Sequence, residues 1–315
     1  MRIVHGTANV PQSARGAALA IGNFDGVHRG HQALINATRD EARRLGVQAG
    51  AVVFEPHPRE YFQPEKPHFR LTSLPLKLRL LEQFGLDVAV VLPFDASLAG
   101  LTADAFVARI LVDALESRQV VIGYDFRFGK GRSGDPEGMR RAGGAMGFGV
   151  TVIGQVAEAG EVFSSSAIRA ELGQGDVKGA AQMLGWWWRV GGVVRSGAKR
   201  GTDLGYPTAN IGLLPGTALA HGIYAVRVHA EGLHHDGAAY LGTRPTFDDG
   251  APVLETFLFD FNGDLYGREI EIEFIDFIRG DRRFDGAAAL QAQMDRDCEQ
   301  ARAILARAPA TPPTG

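Results

Sequence analysis

The sequence predicts an α/β domain, a mainly parallel sheet with helices on both faces, followed by a small antiparallel barrel or sandwich closed by a helix. Three observations carry this. Short apolar runs alternate with amphipathic stretches through the first half, and strands alternating with helices build parallel sheets covered on both sides. From Trp186 the texture changes to short alternating runs separated by turns, several of which in about a hundred residues mark a small barrel or sandwich. The 315 residues are enough for two full-sized cores.

In chain order, "AALAIGNF" reads as a buried strand, and "RGHQALINATRDEARRL" has helical periodicity with Leu34, Ile35, Ala42 and Leu45 inward. "QAGAVVFEP" is an apolar run stopped by Pro56, and "LPLKLRLLEQFG" an amphipathic helix ending on Gly85. "DVAVVLPF" is a strand, "TADAFVARILVDALE" a helix opened by Thr102, and "RQVVIGYDF" a further strand. "DPEGMRRAGGAMG" is a weaker helix, and "VTVIGQV" the fifth strand. "SSSAIRAELGQGDVKGAAQMLG" supplies helical stretches broken by glycines. Strands follow in "WWRVGGVVRSG", "GIYAVRVHA", "AAYLGT", "PVLETFLFDF" and "REIEIEFIDFI", with "FNGD" as a hairpin turn before the last. "FDGAAALQAQMDRDCEQARAILARA" closes as a helix. The boundaries expected are a first domain over 1–170, a helical linker over 171–185, the barrel with its helix over 186–306 and a disordered tail over 307–315.

Hydrophobic residues at 45% and charged residues at 22% are ordinary for a soluble globular protein. A net charge of −3 argues against nucleic acid or an anionic membrane as partner. The one cysteine, Cys298, permits no internal disulfide. "MRIVHGTANVPQ" has no targeting pattern and no apolar run reaches membrane-spanning length, so the cytoplasm is the expected location. The oligomeric state is left open.

Ligands of open parallel sheets bind at the C-terminal ends of strands, and "GNFDGVHRGH" lies there, between the first strand and its helix. Glycines at 22, 26 and 30 allow close backbone approach, a helix N-terminus attracts anions, and His28 and His31 add imidazole donors. A phosphate cradle, half of a metal site and an ordinary tight turn all fit this stretch. "SSSAIR" offers hydroxyls and Arg169 at another helix start, the usual composition of an N-cap as well. Taken together, the two stretches resemble the nucleotidylyltransferase pattern, in which HxGH and a late hydroxyl-rich motif clasp the ATP phosphates. "GKGRSG" matches G-x-G-x-x-G, but after the fourth strand and with Pro136 before the helix, which is the wrong context for a dinucleotide fold. "GYDFRFGKG" fails as a P-loop at Tyr124 and Gly131.

In the second half, Lys199 and Arg200 sit among Gly197, Gly201 and Gly205, a composition suited to a loop over phosphates. "PTAN" presents Thr208 and Asn210 as oxygen ligands for Mg²⁺, or is an Asx-type loop. Glu255 alternates with Val253 and Phe257 on one strand face, as a general base or as an ion-paired carboxylate.

The ordered set "GNFDGVHRGHQ", "FEPHP", "RLTSL", "GYDFRFGKGRSGD", "SSSAIR", "KRGTDLGYPTAN", "GIYAV", "GTRPTF", "LETFLFDFNGDLYG" and "FIRGDRRFD" resembles the bacterial bifunctional riboflavin kinase/FMN adenylyltransferases (FAD synthetases) from about residue 16 to about 304. The resemblance implies a Rossmann-like nucleotidylyltransferase domain and a riboflavin-kinase barrel, with ATP, riboflavin and FMN as substrates and Mg²⁺ as cofactor. The barrel would phosphorylate riboflavin at its ribityl 5′-hydroxyl, and the first domain would transfer AMP from ATP to FMN, releasing pyrophosphate. It further implies that His28 and His31 stabilise the adenylyl-transfer transition state and that Gly22, Phe24, Asp25 and Gly26 shape that ATP pocket. Ser165, Ser166 and Arg169 would meet its phosphates, and Asp125 and Arg127 the flavin nucleotide. Lys199, Arg200, Gly201, Gly205, Thr208 and Asn210 would bind the kinase's Mg²⁺–ATP, Glu255 would take the riboflavin proton, and Arg279 would anchor the loop over the flavin. Three positions depart from the family pattern: Thr202 replaces an arginine, Ser166 a threonine and Phe257 a histidine. A flavin-binding regulator on this scaffold would have no need to keep HxGH, PTAN and the strand glutamate together. "WWW" at 186–188 is expected to pack in a core.

Overall fold

Six strands form the sheet of the first half in a computed structural model that describes residues 1–158, 161–195, 208–230, 232–243 and 252–312. By its internal contacts the chain divides into two units, Met1–His68 with Thr72–Phe163, and Phe69–Leu71 with Ser164–Gly315.

In the first unit the strands are β1 (Arg2–His5), β2 (Ala18–Ile21), β3 (Ala49–Glu55), β4 (Val88–Pro93), β5 (Gln119–Gly123) and β6 (Gly149–Ile153). They run parallel in the order β1-β4-β3-β2-β5-β6. Five of the six were expected. β1 escapes the sequence because it is a four-residue edge strand with only Val4 buried, too short to show a period. From β2 the chain steps outward through β3 to β4 and then returns to the other side of β2 as β5, so the order reverses between β2 and β5. That reversal is where open α/β sheets leave a crevice for ligands.

The helices are α1 (Arg29–Leu45), α2 (Pro58–Phe62), α3 (Leu74–Gln83), α4 (Ala96–Ala99), α5 (Ala103–Phe106, continuing as π-helical turns over Val107–Ala114) and α6 (Pro136–Met146). Their ends follow local chemistry. Thr102 and Asp135 cap α5 and α6 by accepting from Ala105 N–H and Gly138 N–H, and Gly46 ends α1 at φ 66°. On α1 the buried residues are Ile35, Thr38 and Ala42, while Leu34 and Leu45 are only half-buried. A short hairpin, β7 (Ala157–Glu158) and β8 (Glu161–Val162), follows β6.

The second unit starts with α7 (Ser165–Gln174) and α8 (Val177–Leu184), separated at Gly175, φ 88°. Its strands are β9 (Arg189–Val193), β10 (Thr208–Gly212), β11 (Gly222–Ala230), β12 (Leu233–Thr243), β13 (Pro252–Leu258) and β14 (Glu269–Arg279), and α9 (Ala287–Leu305) closes it. They form an antiparallel sheet in the order β10-β13-β12-β11-β14-β9. Arg195 N–H donates to Asn210 O at 2.8 Å, a single bridge that brings the two edges together into a near-barrel.

Two expectations are corrected here. "PTAN" is not a loop throughout, since Thr208 opens β10. "FNGD" is not a hairpin turn, because β13 pairs with β10 and β12 while β14 pairs with β11 and β9. Phe259, 4% exposed, draws the chain into the core instead of reversing it, and its N–H is held by Asp236 O.

Tyr224, Val226, Val228, Ile272 and Phe274 fill the barrel interior. All three tryptophans pack in cores: Trp188 donates from Nε1 to Leu71 O at 2.9 Å and Trp187 to Pro309 O at 3.2 Å. Arg227 donates to Ala308 O and Pro309 O, so the chain just past α9 is tied down where a disordered tail is expected.

Candidate functional site

The loop between β2 and α1 bends through left-handed backbone at Phe24 (φ 49°), Gly26 (86°) and Val27 (39°), a region that glycine enters readily but phenylalanine and valine rarely do. A β-branched residue there costs on the order of 1–3 kcal/mol and persists only where surrounding contacts hold it, a pattern concentrated at functional sites. The bend delivers His28 to the residue before α1 and His31 into its first turn. Their rings stack with centroids 3.8 Å apart, and Phe24 lies 5.1 Å from the His31 ring. Gly30 leaves the stack uncrowded, since a Cβ there would stand 3.0 Å from the His28 ring.

His31 Nδ1 is sealed from solvent with no hydrogen-bond partner among the described residues. Burial foremost, then the neighbouring His28 and Lys77, hold His31 well below the usual histidine range, so it is neutral at pH 7. A neutral imidazole at a helix N-terminus can donate to an anion without adding a fixed charge. Lys77 is 3% exposed on α3, among the buried Leu76, Leu78, Leu80 and Leu81. Its signal in the sequence is a lysine within the apolar stripe of "LPLKLRLL".

Asp25, also buried, is held by Thr72, whose N–H and Oγ1 lie 3.2 and 3.4 Å from Asp25 Oδ1. Asp125 and Arg127 stand exposed on the loop after β5. They thus flank the same reversal point as the histidine loop, β5 being the neighbour of β2. Ser165, Ser166 and Arg169 belong to the second unit. Ser164 is the N-cap of α7, accepting from Ala167 N–H, which leaves Ser165 and Ser166 as first-turn hydroxyls. Arg169 donates from Nε to Phe69 O at 2.6 Å.

On the barrel, cross-strand register brings together residues distant in sequence. Asn210 on β10 stands directly opposite Glu255 on β13, and Glu255 directly opposite Tyr240 on β12. The row continues through Ile223 on β11 to Arg279 on β14. Thr208 is two residues from Asn210 and so on the same face. Asn210 is 6% exposed and its Nδ2 donates to Thr208 O at 3.3 Å, which fixes the amide plane. Tyr240 was not singled out by motif; its place in the row follows from register alone. Arg279 forms a two-pronged pair with Asp297 of α9, Nε and Nη2 at 3.0 and 2.6 Å, and its guanidinium lies 5.7 Å over the Phe284 ring. Lys199, Arg200, Gly201, Thr202 and Gly205 lie outside the described residues.

Thr208 and Asn210 offer only uncharged oxygens, and among the described residues no three His, Cys, Asp or Glu side chains converge to hold a metal. Such a set suits a Mg²⁺ ion carried mainly by nucleotide phosphates rather than by a protein cage. Among the described residues no helix is long and apolar enough to cross a membrane.

The FAD synthetase family model matches residues 10–167 and the riboflavin kinase family model residues 184–305. The bifunctional riboflavin kinase/FMN adenylyltransferase of Escherichia coli (strain K12) is 38% identical over 299 residues, covering 94% of this chain and 96% of that protein. That of Pseudomonas fluorescens is 39% identical, covering 97% of this chain and 98% of that one. A crystal structure titled as a macrolide-efflux protein from Streptococcus pneumoniae superposes with a TM-score of 0.84 at 27% identity, covering 96% of this chain and 99% of that one. The chain belongs to the bifunctional riboflavin kinase/FMN adenylyltransferase family and is an enzyme of flavin cofactor biosynthesis.

Proposed function

We propose that riboflavin phosphorylation is carried out on the Asn210–Glu255 row of the barrel and adenylyl transfer to FMN on the loop between β2 and α1. The observation that carries the first assignment is the direct opposition of Asn210 and Glu255 on adjacent strands. Residues so paired have Cα atoms about 4.5–5.5 Å apart and share one face. Glu255 accepts the proton of the ribityl 5′-hydroxyl as its oxygen attacks the γ-phosphorus of ATP, and ADP leaves. Thr208 and Asn210 hold Mg²⁺ with the nucleotide; when bound, the ion neutralises charge on the transferring phosphoryl group. Lys199, Arg200, Gly201 and Gly205 bind ATP, and Arg279, fixed by Asp297, anchors the loop beside the flavin.

In the other reaction the FMN phosphate attacks the α-phosphorus of ATP and pyrophosphate leaves, so no protein nucleophile is needed. His28 and His31 donate to the phosphate oxygens as charge builds there. Gly22, Phe24, Asp25 and Gly26 shape the pocket, Ser165, Ser166 and Arg169 bind phosphate, and Asp125 and Arg127 bind the flavin nucleotide. A cytoplasmic location and the absence of a nucleic-acid partner complete the reading, which rests there on composition.

The test follows riboflavin, FMN and FAD by chromatography after mixing the protein with riboflavin, ATP and Mg²⁺. FMN is expected first and FAD after it. Glu255→Gln should reduce FMN formation by at least about 100-fold, the usual scale of general-base loss, and still convert supplied FMN to FAD. Undiminished FMN formation in that variant refutes the base assignment.

A further inference from the structure

The strained loop needs a clamp, and the structure places one at a residue to which no role has been given. Thr72 lies between α2 and α3, 2% exposed, and reaches the loop through both its main chain and its side chain. Thr72 N–H donates to Asp25 Oδ1 at 3.2 Å, and Gly26 N–H donates to Thr72 Oγ1 at 3.1 Å. The Thr72 hydroxyl proton is then directed at the same Asp25 oxygen, 3.4 Å away. One threonine therefore grips two successive loop residues and uses its hydroxyl both as acceptor and as donor.

Location makes this grip consequential. Gly26, at φ 86°, sits between Phe24 and Val27, both non-glycine residues held at positive φ, and two residues before His28. Asp25 is itself 3% exposed, with His68 Nε2 at 4.0 Å from its other oxygen. In such surroundings a hydrogen bond to a carboxylate is worth more than at a surface. A loop freed from Thr72 would relax toward ordinary backbone angles and carry the stacked His28–His31 pair away from its place at the start of α1.

We infer that Thr72 is a positioning residue for adenylyl transfer, clamping Asp25 and Gly26 so that the strained loop presents His28 and His31 to the reacting phosphate. The inference rests on the role proposed above for the two histidines.

The experiment uses the full chain, with riboflavin phosphorylation as an internal control. Thr72→Val keeps the shape and the N–H but removes the hydroxyl; Thr72→Ser restores it. Displacement of catalytic groups by about an ångström typically costs about 100-fold. Thr72→Val should accordingly lower kcat for FAD formation from supplied FMN by about 10- to 100-fold, with KM for ATP moving less than about threefold. Thr72→Ser should recover most of the rate. Hydrogen exchange of the Gly26 amide should accelerate in Thr72→Val while amides of β3 and β4 keep their protection. An unchanged kcat in Thr72→Val overturns the inference, with or without faster Gly26 exchange. So does equal loss in the Ser and Val variants, or loss of protection throughout the sheet, either of which marks a merely structural role. His28→Ala and His31→Ala are assayed in parallel. If both retain FAD formation, the histidine reading has failed, whereas the grip itself is judged separately by Gly26 exchange and by the contrast between Thr72→Val and Thr72→Ser.

Discussion

At the scale of single residues, space and charge around the histidine pair make two predictions. Gly30→Ala places a methyl group 3.0 Å from His28 Cε1 and 3.1 Å from Nδ1, so the ring must give by a few tenths of an ångström within its stack. FAD formation from FMN should fall by about tenfold or more, with riboflavin phosphorylation unchanged, as measured by separate assays of the two steps. The second concerns pH. Burial depresses His31 in the folded state below its ordinary 6.5. Between the folded and unfolded values the unfolded chain binds the extra proton, so stability is full above about pH 6.5 and declines as pH falls toward the folded value. Urea midpoints taken from pH 7.5 down to 5 should drop less steeply in His31→Gln than in the parent protein. Parallel curves would mean that His31 does not titrate with folding.

At the scale of elements, Arg279 at the end of β14 and Asp297 on α9 form a two-pronged, partly buried tie of the helix to the barrel. The Asp297 side chain is 5% exposed and that of Arg279 22%, and Gln293 Nε2 adds a bond to Asp297 Oδ1 at 2.8 Å. Asp297→Ala leaves a largely buried guanidinium without its partner, a loss of about 2–4 kcal/mol. The denaturation midpoint followed by tryptophan fluorescence should fall accordingly, since Trp186, Trp187 and Trp188 all belong to this unit. If the midpoint does not move, the pair is not what holds α9. Elements differ in how plainly they could be read. Helix limits follow from caps such as Thr102 and Asp135, because a cap acts within one turn of its own residue. β1 and β10 are stabilised by partners far along the chain, β4 and β13, so their own residues carry little periodicity.

At the scale of the whole molecule, each activity should be removable without the other. His28→Ala is expected to accumulate FMN from riboflavin without passing it to FAD, the mirror image of Glu255→Gln; the same chromatogram reads both. A variant in either half that silences both reactions would contradict the division of labour between the units. The sequence by itself determined the fold class, because apolar period and glycine punctuation follow from local geometry. It also determined the family, because ordered motifs over most of the chain are a one-dimensional signal. Only the tertiary structure decided that β13 and β14 are not a hairpin, that Tyr240 joins the row of Asn210 and Glu255, and that Thr72 grips Asp25 and Gly26 from 46 or more residues away. Register and long-range hydrogen bonds are properties of pairs distant in the chain, and no local pattern encodes which partner each residue will meet.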